Sequence, residues 1–167
     1  MLSKCIEFCR QYENNPNVVY KTCGDYIVVL EKQKDTLTNE NRTGIVDPMH
    51  AKFRADKLKV LCIFHKQNPN IQQYCVENTM YLRKKCNTLY MCGSVIKVSN
   101  YNKNLSEVCT TGLHYFKSVE AAYYYGLNIK DCRYTGEYIT WRSSGQIATH
   151  HEYINGQVSA IIYCFSL

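Results

Sequence analysis

No run in this sequence approaches about 18 consecutive apolar residues, the minimum for a transmembrane helix, so none is expected. The eight glycines are scattered, and none of them opens a Gly-Lys-Ser/Thr helix start. Phosphate-loop nucleotide binding is therefore unsupported. Neither G-x-S-x-G nor H-E-x-x-H occurs, which removes the signatures of nucleophile-elbow hydrolases and zinc proteases. The ten cysteines include no Cys-x-x-Cys pair, and no His or Cys cluster stands near Cys5 and Cys9 in sequence. The spacing of a structural zinc site is missing, and no metal or cofactor is expected. The opening "MLSKCIEFCRQYENN" carries Lys4 and Glu7 where a secretory leader would be apolar. A chain that is not secreted, with mostly free thiols in a reducing compartment, is the expectation. Cys62, Cys92 and Cys164 lie inside apolar runs, where free cysteine acts as a small hydrophobe. A basic amphipathic helix is also lacking, so no membrane partner is expected.

What is present suits one soluble domain of 167 residues, with 46% hydrophobic and 20% charged residues. The net charge of +6 has two local sources. One is Lys52, Arg54, Lys57 and Lys59; the other is Arg83, Lys84 and Lys85. Basic patches beside many tyrosines are compatible with a nucleic-acid partner. The stretch "KLKV", however, alternates as a half-buried strand with a solvated lysine face, and such lysines discourage edge pairing.

The pattern predicts an α+β fold dominated by a mixed or antiparallel sheet. An N-terminal helix is expected within residues 1–16, with Ser3 as its cap and Pro16 as its stop. A β-rich core follows over 17–135. It holds a hairpin "VVYKT"/"YIVVLEK" turning at Gly24-Asp25, a strand "KLKVLCIFHK" and a strand pair around Gly93. The polar stretch "KQKDTLTNENRTGIVDP" is long for a loop, as mobile or functional loops are. "TGLHYF" reads as a strand leading into a short helix, with Ser118 as N-cap, Glu120 in the first turn and Gly126 as the stop. Adjacent helical residues lie about 100° apart, so at least one of Tyr123, Tyr124 and Tyr125 should be exposed. Residues 136–167 read as a β meander with turns at Ser144-Gly145 and Asn155-Gly156. The nearly all-apolar final strand, Ala160–Leu167, must be buried or lie in an interface, and a homodimer contact is one expectation.

Three stretches carry resemblances. Tyr90, Gly93 and Ile96, followed by Cys109, Gly112, Leu113, His114, Tyr115 and Phe116, fit a Y-x-x-G-x-x-[IV] strand and a C-x-x-G-[IL]-H-[FY]-F motif. The chain thereby resembles an uncharacterised domain of giant DNA viruses of the mimivirus group. That likeness implies a viral protein of the host cytoplasm, the viral factory or the virion. Gly136, Tyr138, Trp141, Gly145, Gln146, Tyr153, Asn155 and Gly156 resemble one MORN-type repeat, which implies that residues 136–167 form a hairpin completing the main sheet. Gly112–Phe116 and the helix after it are also similar in outline to ADP-ribosyltransferases of the poly-ADP-ribose type. In that likeness His114 takes the place of the tyrosine that stacks on nicotinamide, Lys21 lies on the nearest counterpart of the preceding motif strand, and no clear glutamate motif follows.

Lys21, Arg54, His114, Tyr115, Tyr124 and Trp141 are the candidate binding residues, and no catalytic set closes. His114 is readable as a core histidine bonded to a backbone carbonyl, or as a ligand-binding group beside a helix N-terminus. His150 and His151 are strand neighbours on opposite faces, so they cannot chelate jointly and are read as surface residues. Three functions stay open. The leading one is a non-catalytic accessory protein recognising a protein partner through the long loop, the tyrosines or the last strand. The second is a nucleotide-binding domain of ADP-ribosyltransferase type, and the third a weak nucleic-acid binder.

Overall fold

The computed structural model describes residues 1–78 and 88–164. Its centre is a four-stranded antiparallel sheet, in the order β1 (Val18–Cys23), β2 (Tyr26–Glu31), β4 (Lys57–His65) and β7 (Val95–Lys97). Two-stranded ladders join β3 (Phe53–Ala55) to β8 (Leu113–Tyr115) and β5 (Cys75–Asn78) to β6 (Thr88–Met91). The helices are α1 (Leu2–Cys9), continued by a 3-10 turn at Arg10–Tyr12, and α2 (Val119–Tyr124). The fold is thus α+β and β-dominated, with antiparallel sheets, an N-terminal helix and a short helix after β8, as the pattern predicts.

The central sheet is covered on both faces. Ile27 and Val29 of β2 pack on one side with Cys5, Cys9, Phe64 and α2. Val28 and Leu30 pack on the other with Phe53, Leu58, Val60 and Tyr115. Burial on both faces explains why "YIVVLE" is a continuous apolar run and does not alternate. The register of β4 shifts between its partners Val29 and Leu30. One extra residue reverses which side chains face which layer. Cys62 and Phe64 therefore face the helices, while Val60 and Leu58 face away. The lysines of β4 do not guard an edge, because β7 pairs with Lys57–Lys59.

Several expectations need correction. Residues 136–164 do not complete the main sheet. They form a separate three-stranded antiparallel sheet, ordered β11 (Gln157–Cys164), β10 (Ile147–Ile154) and β9 (Gly136–Trp141). It meets the rest through aromatic packing on α2, where Tyr124 contacts Tyr138 and Trp141. Ser3 lies inside α1 rather than at its cap, because the helix already starts at Leu2. The polar loop after β2 is anchored: Asn39 is fully buried, and its backbone N–H and side-chain oxygen pair with the backbone of Arg54. No tyrosine of the triplet is exposed. Tyr123 and Tyr124 are covered by α1 and β9, and Tyr125 leaves helical geometry to lie half-buried against Phe116. The basic run Arg83–Lys85 lies outside the described residues, as do the last residues of the final apolar strand. Nine cysteines are described, all as free thiols, with Cys5, Cys9, Cys23 and Cys62 buried.

Candidate functional site

The β8–α2 junction is assembled from local chemistry. Gly112 leads into β8, and a Cβ there would meet Arg54 Cβ at 3.1 Å and the Ala55 carbonyl oxygen at 3.3 Å. Glycine is what lets β8 lie this close to β3. The hydroxyl of Ser118 then accepts from Ala121 N at 3.1 Å, capping α2.

Arg54 and His114 are cross-strand partners, and both hold the Asn100–Thr111 loop. The Arg54 guanidinium is fully buried. It donates to the carbonyls of Glu107 (2.8 Å), Asn102 and Asn104, and lies over the Tyr101 ring. His114 Nε2 lies 2.9 Å from the Val108 carbonyl. A carbonyl only accepts, so Nε2 carries the proton. Burial, followed by the charge of Lys52, pushes the His114 pKa down to about 4. At neutral pH the ring is uncharged, and Nδ1 is left as an acceptor.

Beside this junction the β1 edge opens. Tyr20 and Phe116 exchange both backbone hydrogen bonds at 2.8 Å. One rung on, Thr22 stands opposite His114, and no backbone hydrogen bond joins them. The His114 carbonyl instead accepts from Lys21 Nζ at 3.2 Å. The gap is a slot of about 20 Å³ lined by Lys21, Thr22, Lys52 and His114, among others. Next to it lies a chamber of about 310 Å³ between α2 and β9. Its aromatic walls include Phe116, Tyr124, Tyr138 and Trp141, and Lys52 and Arg142 also line it. Slot and chamber share Lys52, Phe116 and Tyr125, and Lys52 Nζ donates to Tyr125 Oη at 3.1 Å. No described residue lining either space is acidic.

Trp141 is braced from behind by His50, whose ring stacks on it at 4.6 Å and 14°. His50 Nδ1 lies 2.6 Å from Asp47 Oδ2, and Nε2 lies 3.0 Å from Glu120 Oε2. Burial opposes the charge on His50, but the bonds to Glu120 and Asp47 outweigh it and raise the pKa above the usual imidazole value. A raised folded pKa contributes stability that is complete below the unfolded pKa of about 6.5 and is lost as pH rises through the folded value. Burial also opposes ionisation of Asp47, while His50 and the Met49 N–H hold its carboxyl below the ordinary range. This bracing accordingly weakens again in acid. His50→Gln is expected to cost about 1–2 kcal/mol near pH 6 and less at pH 9, as measured by urea unfolding at both values.

Of the sequence candidates, Lys21 and His114 line the slot, and Tyr124 and Trp141 line the chamber. Arg54 and Tyr115 lie elsewhere. Tyr115 is fully buried, and its hydroxyl donates to Glu40 Oε1 at 2.6 Å. Glu40 also takes Lys32 (2.8 Å) and Lys117 (2.6 Å). The sequence reading missed Thr22 and the role of His50. The Asp47–His50 spacing of three is visible in "DPMH", but Glu120 lies 70 residues away.

A second exposed feature is β11, the edge strand of the C-terminal sheet. Val158, Ile161, Ile162 and Tyr163 are 51%, 67%, 51% and 41% exposed, and no charged residue occurs in Gln157–Cys164. His150 and His151 of β10 are half-buried, and no group of three or more metal-ligating side chains forms among the described residues.

No curated protein and no solved structure matches the chain. A family model matches residues 8–122, more than half of the chain, ending inside α2 and leaving out the whole C-terminal sheet. The domain that contributes the slot and one wall of the chamber is therefore shared with other proteins: the chain belongs to the Family of unknown function (DUF5758).

Proposed function

We propose that this protein is a non-catalytic accessory domain that recognises a protein partner, which adds an extended apolar segment to the edge of β11. The observation that carries the reading is that strand itself. Natural sheets blunt exposed edges with charge, proline or cover. β11 has eight residues without a charge or a proline, and four of its large side chains are exposed. An uncharged edge with apolar side chains suits strand addition, in which backbone hydrogen bonds give affinity and alternate side chains give specificity. The likeness of Cys109–Phe116 to the giant-virus motif supports a viral setting in host cytoplasm or virion. The likeness of residues 136–156 to a MORN-type repeat supports a structural role for their glycines and aromatics within the C-terminal sheet.

The test compares wild type with Ile161→Lys, a change at a 67% exposed site. The expected result is a protein retained by wild type and lost from the variant, with slowed amide exchange over 157–164 in the purified complex. Unchanged exchange there would sink the reading. A concentration-dependent dimer in light scattering, abolished by Ile161→Lys, would replace the foreign partner with a second copy of this chain.

A further inference from the structure

Independently of β11, we infer that the neighbouring slot and chamber, which share Lys52, Phe116 and Tyr125 in their linings, form a binding site for a small molecule with an oxyanion at one end and a flat apolar ring at the other. One oxygen of the oxyanion reaches into the slot beside Lys21 and Thr22, and the ring lies in the chamber against Trp141 and Tyr138.

Four observations carry this. First, the slot is an interrupted ladder. The β1 edge pairs with Phe116 at Tyr20, and then the next rung is left open. At about 20 Å³ it has room for one water-sized group, since a single water needs roughly 10–15 Å³. Secondly, the slot holds a half-buried cation with no counter-charge among the described residues. Lys21 forms no ion pair among the described residues; its Nζ meets only a neutral carbonyl and, at 5.9 Å, the Tyr90 ring. Burial works against its charge and lowers its pKa, so an anion in the slot supplies the missing partner. Lys52 stands on the boundary between the two spaces. Thirdly, Thr22 is 3% exposed, and its buried Oγ1 has no hydrogen-bond partner. A buried hydroxyl without a partner carries a desolvation cost that a ligand oxygen would remove. Fourthly, the chamber of about 310 Å³ is the size of a small-molecule site, is walled by aromatic side chains and has no acidic described residue. Aromatic walls favour a flat ring. The absence of carboxylates from the described lining, together with Lys21, Lys52 and Arg142, disfavours a cation.

Two ligand sources share this chemistry, a nucleoside 5′-monophosphate and an aromatic carboxylate. Trp141 is the only tryptophan in the 167 residues, and it walls the chamber, so its emission reports occupancy directly. The full chain is titrated with adenosine 5′-monophosphate and, separately, with 3-phenylpropionate. Adenosine and 3-phenylpropionamide serve as the uncharged counterparts. The inference expects a saturable change in Trp141 emission with at least one anion, and binding about tenfold or more weaker for its neutral counterpart. The arm that saturates identifies the source. Lys21→Gln should weaken the anion about tenfold. Thr22→Val, nearly isosteric and lacking the unpaired hydroxyl, should weaken it while leaving the melting temperature unchanged or higher. That second variant keeps the test decisive should Lys21→Gln fail to fold. No saturable change with either anion up to millimolar concentration would overturn the inference. So would equal binding of the neutral counterparts, or wild-type affinity in Thr22→Val.

Discussion

Replacing Arg54 with methionine is expected to lower the unfolding free energy by about 3–5 kcal/mol and to loosen Asn100–Thr111 ahead of the rest of the domain. The guanidinium is fully buried and faces backbone oxygens rather than a carboxylate. Three loop carbonyls, those of Asn102, Asn104 and Glu107, converge on its fork. Methionine would fill much of the volume but leave all three without their donor. A buried acceptor that loses its partner carries its full desolvation cost. Arg54→Lys should recover only part of the loss, because one ammonium cannot reproduce a planar fork reaching three acceptors. Urea unfolding measures the first effect, and amide exchange over 100–111 measures the second. Unchanged exchange in that loop, with stability within about 1 kcal/mol of wild type, would show that the clasp is not what orders it. The outcome also bears on His114, whose ring is bonded to Val108 of the same loop.

The second large effect is expected at Gly145, in the turn between β9 and β10. Its φ is +87°, and a Cβ would overlap the Asp47 carbonyl oxygen and lie 2.8 Å from the carbonyl carbon. The turn is docked on the polar loop: Val46 N and Asp47 N both donate to the Ser144 carbonyl, at 2.9 and 3.1 Å, and Lys52 N donates to that of Ser143 at 3.1 Å. Gly145→Ala adds a strained backbone to a backbone clash that no side-chain rotation relieves. Together these are expected to cost roughly 3 kcal/mol or more. The loss should appear as a lower melting temperature and a red shift of Trp141 emission as β9 draws away from His50. Gly93 supplies the control, with a similar φ of +84° and open space, free of other atoms to 4 Å, where a Cβ would stand. Gly93→Ala should cost only about 1 kcal/mol, the backbone strain alone. Equal losses at the two sites would mean that the docked turn does not anchor the C-terminal sheet.

Both predictions concern contacts between segments far apart in the chain, which is where the sequence was least legible. Among candidate site residues, Lys21 and His114 line the slot and Tyr124 and Trp141 the chamber next to it, though each is singled out for a different reason. Arg54 shows the opposite case. A cation in a basic stretch suits solvent or a ligand equally well, and only the convergence of three carbonyls from a loop about 50 residues away turns it inward. Tyr115 likewise cannot be told from a binding tyrosine until Glu40 is seen at its hydroxyl.

What the sequence determined by itself is whatever a few neighbouring residues decide. The hairpin at Gly24-Asp25, the Asn155-Gly156 turn with both residues at positive φ, and the Ser118 cap of α2 follow from backbone freedom and side-chain hydrogen bonds within a turn. The burial of β2 on both faces is visible in its unbroken apolar run. Only the tertiary structure decided that the C-terminal strands form their own sheet, that a bulge in β4 redirects its side chains, and that the β1 ladder stops short and leaves a slot. Lys21 meets His114 across 93 residues, and His50 meets Glu120 across 70. Such pairings arise when packed layers close long loops. No local conformational preference in either partner encodes the distance.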